Sequence, residues 1–221
     1  MIVALCVLGG LATVAGWTAV RVRHASVWRV MGVVNGVLGV AGLLTGRIAW
    51  ADRVDPWVAA GVGAGAGLAL YAATTAFVLV VRRWPVFDRH VVGLYRSGEG
   101  LSLPVALLLI ALVYAPGEEI FWRGLVQRAL ASPLSVAAGA ALAWAAYAVA
   151  ESASGSLPII AAGVVAGGTW AALALWTGGV VASSVCHVVW TGAMLAVPPG
   201  GRKRRAPGPD HAPSATGRDR S

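Results

Sequence analysis

The segment APGEEIFWRGLVQRAL, Ala115 to Leu130, sets two adjacent carboxylates and two guanidinium groups into an otherwise apolar run. Glu119 and Arg123 are four residues apart with the acid first, the favourable order for an ion pair across one helical turn. Glu118 lies about 100° around the same helix and is not satisfied by that geometry. Pro116 and Gly117, just before the pair, predict a break or a helix start, which would bring free N–H groups and a positive dipole end to the carboxylates. Downstream, Glu151 closes LAWAAYAVAE and His187 interrupts SSVCHVVWTGAM. Acids and an imidazole in such surroundings can bind protons or cations. Each also has a purely structural reading: Glu118 as a cap, Glu119 with Arg123 as a folding ion pair, Glu151 as a helix-boundary residue at the interface, His187 as a hydrogen-bonded core residue.

The elements that must position these groups follow from composition. Of 221 residues, 58% are hydrophobic and 12% charged, the mean hydropathy is +0.75, and the apolar residues fall in runs long enough to cross a hydrocarbon core. The fold class that follows is all-α, a polytopic transmembrane helix bundle of about seven spans. They are expected at Ile2 to Val20, Val30 to Trp50, Trp57 to Val81, Leu101 to Leu130, Leu134 to Ala150, Leu157 to Trp176 and Gly179 to Val197. A charge at the bilayer centre costs at least ~2.5 kcal/mol. Glu118, Glu119, Arg123, Arg128, Glu151 and His187 are therefore expected to face inward.

The net charge of +8 and pI near 10.7 do not point to nucleic acid, because the arginines sit between apolar runs and in the last stretch, where topology and anionic headgroups explain them. The loop with Arg21, Arg23 and Arg29, the loop from Arg82 to Glu99 and the tail with Arg202 to Arg205 all fall on the cytoplasmic side of a seven-span path. This predicts an N-terminus outside and a cytoplasmic tail. MIVALCVLGG precedes its basic residues rather than following them, the reverse of a cleavable signal, so the first span is read as uncleaved. Arg47, near the end of the second span, can snorkel beside Asp52, Arg53 and Asp55. RRWPVFDRHVVGLYR mixes aromatic and basic residues and reads as an interfacial segment. Small residues in GVGAGAGLAL and AAGVVAGGTW predict close helix contacts. Cys6 and Cys186 read as packing residues, and the Pro-, Gly- and Arg-rich tail as disordered.

Taken together, EEIFWR at Glu118 to Arg123, YAVAE at Tyr147 to Glu151 and HVVWT at His187 to Thr191 resemble the three ordered motifs of the CPBP (CAAX prenyl endopeptidase and bacteriocin-processing, Abi) intramembrane protease family. The resemblance divides the chain into N-terminal spans with an interfacial loop (1–100), a protease-like core (101–197) and a basic tail (198–221). It implies that Glu118 activates a water for attack on a peptide carbonyl, that Glu119 and Arg123 organise the site, and that His187 and its motif partner stabilise the oxyanion. It also implies a membrane-associated peptide or protein substrate.

Two positions depart from the family pattern. Glu151 stands where the family has histidine, and Thr191 where it has Asn or Asp. Glu151 can accept a proton or bind a metal, and beside Glu118 the two carboxylates would tend to share a proton. Glu118, Glu151 and His187 could equally hold zinc with an open position for water; a metal-free mechanism is the other reading. Thr191 can donate one hydrogen bond, with a shorter reach than Asn. The replacements also keep open a non-catalytic membrane scaffold or immunity-type relative. An ion-coupled transporter is a third class, opposed by the absence of a paired inverted repeat in the sequence.

Overall fold

The computed structural model describes residues 1–81, 83–97 and 100–199. The basic tail from residue 200 onward and its expected disorder lie outside the described residues, as do Arg82, Gly98 and Glu99 of the interfacial loop. The described chain is all-helical: α1 Ile2–Arg23, α2 Val27–Leu44, α3 Pro56–Val81, α4 Pro85–Ser97, α5 Leu103–Ala131, α6 Val136–Ser152, α7 Leu157–Thr177 and α8 Val181–Ala196. Five of them, α1, α2, α3, α5 and α7, are long and apolar enough to cross a membrane. The shorter α6 and α8 are apolar as well, and at 1.5 Å per residue each extends roughly 25 Å. The seven apolar helices correspond to the seven expected spans, and α4 covers the segment expected at the interface, with Phe87 turned into the bundle against Phe77.

Helices α1, α2 and α8 each bury one stripe, whereas α5 is buried all round from Glu119 to Gln127. Gly9, Thr13, Gly16 and Trp17 form that stripe on α1, Met31, Asn35, Leu38, Gly39 and Gly42 on α2, and Ala182, Ser183, Cys186 and His187 on α8. These are the i, i+3 and i+4 spacings of a single helical face. The stripes are rich in small residues because hydrocarbon offers no hydrophobic drive to pull helices together, so close van der Waals contact must do it. On α3, a Cβ added at Gly67 would lie 2.8 Å from the Cys186 carbonyl of α8. On α2, a Cβ at Gly39 would lie 2.7 Å from the Cα of Gly117.

Two expectations are corrected. The second span ends at Leu44 rather than Trp50, because Gly46 turns the chain with φ of 64°. Arg47 therefore lies in the link to α3, beyond the helix end. That link is used: the carbonyls of Ala49 and Trp50 accept the first free N–H groups of α8, from Val180 at 3.1 Å and Val181 at 3.0 Å.

The second correction concerns Pro116 and Gly117, which neither break nor start a helix. The chain runs helically from Leu103 to Ala131, with wide π turns at Ile110–Tyr114 and Ile120–Val126. A proline inside a regular helix removes an N–H and clashes with the carbonyl four residues back. The π turn just before Pro116, in which the Ala115 N–H bonds the Ile110 carbonyl five residues back, opens the space that the ring needs. Wide turns of this kind are concentrated at functional sites.

Candidate active site

Helix α5 presents its two glutamates to different surroundings. Glu119 is fully buried, and its Oε1 accepts from Arg123 Nη1 at 3.2 Å and faces His187 Nδ1 at 3.1 Å. A carboxylate so placed can only accept, so a proton sits on His187 Nδ1. Arg123 is held from three further directions. Its Nη2 donates to the Gly167 carbonyl of α7 at 2.9 Å, and its guanidinium lies 4.4 Å from the Tyr147 ring centroid and 5.4 Å from that of Trp170. Trp170 also stacks on His187, with ring centroids 3.7 Å apart and planes 14° from parallel. The second oxygen of Glu119 makes no hydrogen bond; the Ser183 hydroxyl beside it donates instead to the Val180 carbonyl at 3.1 Å.

Glu118, about 100° around α5, lines a cavity of about 560 Å³ together with Glu151, His187 and Thr191. Both of its oxygens are occupied. Oε1 accepts from the Tyr147 hydroxyl of α6, and Oε2 accepts from Asn35 Nδ2 of α2 at 3.1 Å. Glu151 is buried on the same wall, close enough to Glu118 for their charges to interact, and its Oε1 accepts from Trp17 Nε1 of α1 at 2.9 Å. Thr191 stands one turn beyond His187, with a buried hydroxyl oxygen that has no partner. The rest of the cavity wall is mainly apolar, with Trp28, Met31, Phe77 and Trp190 among its members.

The six sequence-derived residues thus divide into two groups. Glu118, Glu151, His187 and Thr191 face the cavity, while Glu119 and Arg123 stand behind its wall and hold His187. Sequence reasoning missed Asn35, Trp17 and Trp170. Asn35 was detectable, being the one amide in its apolar span, VVNGV. Trp17 and Trp170 are tryptophans among ten in the chain, and no local pattern marks them.

The described acids and histidines whose ligand-capable atoms converge within 4.8 Å are Glu118, Glu119 and His187. Glu151, expected in the zinc set, is not among them. Glu119 already faces a guanidinium at 3.2 Å, and both oxygens of Glu118 already accept hydrogen bonds. A dication there would sit beside the Arg123 charge and compete with Tyr147 and Asn35, so this donor set fits zinc poorly.

Residues 100–193 match a family model described as type II CAAX prenyl endopeptidase Rce1-like. The match contains Glu118, Glu119, Arg123, Glu151, His187 and Thr191, and excludes the α1 and α2 residues Trp17 and Asn35. No curated protein and no solved structure matches the chain.

Proposed function

We propose that this chain, whose residues 100–193 match a family model described as type II CAAX prenyl endopeptidase Rce1-like, is an intramembrane protease of the CPBP type that hydrolyses a peptide bond of a membrane-associated substrate with a water activated by Glu118. The observation that carries this reading is the division of labour between the adjacent glutamates. Glu119 is committed to Arg123 and His187, whereas Glu118 is oriented by Tyr147 and Asn35 and faces the cavity.

In this reading the scissile carbonyl lies between Glu118 and the His187–Thr191 side of the cavity. Glu118 takes a proton from water as the oxygen attacks the carbonyl carbon. With a proton on each ring nitrogen, His187 is balanced by Glu119 and donates from Nε2 to the developing oxyanion, while the Thr191 hydroxyl donates beside it. Glu151 holds the second proton that two neighbouring carboxylates share, and gives it to the leaving amine as the C–N bond breaks. Glu118 then passes its proton to Glu151, which restores the starting state. The balance closes with water alone: hydroxide goes to the acyl product and the proton to the amine. No step is routed through a metal, in keeping with the poor fit of the donor set.

The segments bearing most arginines are read as cytoplasmic, with the N-terminus outside. The membrane-associated substrate would reach the cavity along its apolar wall. The test is cleavage of a membrane-anchored peptide library by the purified protein in parallel with Glu118→Gln. Loss of cleavage by about 10²-fold or more supports a glutamate-activated water. Undiminished cleavage in Glu118→Gln overturns it.

A further inference from the structure

A second cavity, of about 350 Å³, lies at the bundle end formed by the α2–α3 link, the end of α5 and the α7–α8 turn. It is separate from the reacting cavity and independent of the peptidase reading. Its wall carries three arginines, Arg53, Arg123 and Arg128, against one acid, Asp52. Arg123 is matched by Glu119, and Arg128 reaches Asp52 at 3.4 Å. Arg53 has no carboxylate within ion-pair distance among the described residues, and its Nη1 donates only to the Leu175 carbonyl at 2.8 Å. At the back wall stands Gln127, only 5% exposed. Its amide donates to the Ala171 carbonyl at 3.4 Å, but its buried Oε1 has no partner. A buried carbonyl oxygen without a donor is desolvated with nothing to replace the lost water, so this oxygen asks for a hydroxyl or water proton.

The rim is built rather than incidental. Backbone bonds tie the link to the α7–α8 turn: Val180 N–H to Ala49, Val181 N–H to Trp50, and Arg53 N–H to Thr177. The level is also that of a membrane interface, since Trp50, Trp57 and Trp176 are all exposed at this end of the bundle. An excess guanidinium at the mouth and an unmet acceptor at depth call for a ligand that is anionic and carries a hydroxyl.

We propose that this cavity binds a hydroxyl-bearing phosphate ester, the headgroup of an anionic glycerophospholipid, with the phosphate at Arg53 and a headgroup hydroxyl donating to Gln127 Oε1. Phosphatidylglycerol has this chemistry, and phosphatidylcholine has the phosphate without the hydroxyl or the net charge.

The experiment titrates the full chain in uncharged detergent with phosphatidylglycerol, phosphatidylcholine, phosphatidic acid and soluble glycerol phosphate, and counts bound copies by native mass spectrometry. Phosphatidylglycerol is expected to bind in preference to phosphatidylcholine, with its apparent affinity about tenfold weaker in Arg53→Gln. Gln127→Leu is expected to reduce phosphatidylglycerol to the level of phosphatidic acid, which lacks the glycerol hydroxyls. Arg53 is exposed, so Arg53→Gln reports on binding even if Gln127→Leu fails to fold. Equal retention of the choline and glycerol lipids, or unchanged affinity in Arg53→Gln, overturns the site. Binding of glycerol phosphate as tight as that of the lipid overturns the membrane source in favour of a free phosphate ester.

Discussion

Three side chains from three helices hold the two cavity carboxylates, and the variants that separate their roles are small changes at the donor atoms. Tyr147→Phe removes the hydroxyl on Glu118 Oε1 and Asn35→Leu removes the donor on Oε2. Each should lower kcat of peptide cleavage by about tenfold while leaving KM little changed, because Glu118 stays in place but loses its orientation. Trp17→Phe removes the donor on Glu151; a loss confined to substrates with poor leaving amines would identify Glu151 as the acid. Glu151→His introduces the histidine expected there from the motif resemblance, and its outcome is informative in both directions. Gain of activity from an inactive parent marks a protein that has given up its chemistry, and loss from an active parent marks a carboxylate pair in use. The pair Glu119 and Arg123 behaves differently. Removing one partner of a buried ion pair costs ~3–5 kcal/mol, so Arg123→Ala should reduce the amount of folded protein recovered, measured by size-exclusion chromatography, before any question of rate arises. Chelators should leave cleavage unchanged, since the convergent donors are already engaged.

At the level of elements, α5 carries most of the design. Its π turns on either side of Pro116 to Glu119 keep the helix continuous where a proline would ordinarily stop it. Gly117 completes the arrangement, because a Cβ there would overlap the Asn35 carbonyl of α2. Gly117→Ala should force α2 and α5 apart and pull Asn35 from Glu118. The expected loss of ~1–3 kcal/mol would appear as a lower melting temperature, with cleavage falling more than the fraction of folded protein. This element also marks where sequence reasoning stopped. Run length gave the helices, and the order of charged residues gave the Glu119–Arg123 pair. Proline and glycine together suggested an interruption because propensity describes an isolated helix. In the bundle, packing against α2 and a widened turn absorb both residues. Asn35 was visible as a polar residue in an apolar span, but its partner lies 83 positions away, and helix periodicity carries no information across that distance.

For the molecule as a whole, the segment that matches the family is not the whole site. Trp17 and Asn35 come from α1 and α2, outside residues 100–193, yet each bonds a carboxylate on the cavity wall. A fragment beginning at residue 100 should therefore be inactive even if its helices insert, and co-expression with residues 1–99 should recover part of the activity. Both arms are read by cleavage of the same membrane-anchored peptide.

The Arg123–Glu119–His187 line also bears on permeability. Arg123 forms part of the wall of one cavity and His187 part of the wall of the other, and Glu119 bridges the two by hydrogen bonds. This hydrogen-bonded line therefore forms part of the partition between the two cavities. A side chain too short to fill that position would join the two cavities: vesicles containing whatever Arg123→Ala protein folds should lose an imposed proton gradient faster than vesicles containing the parent.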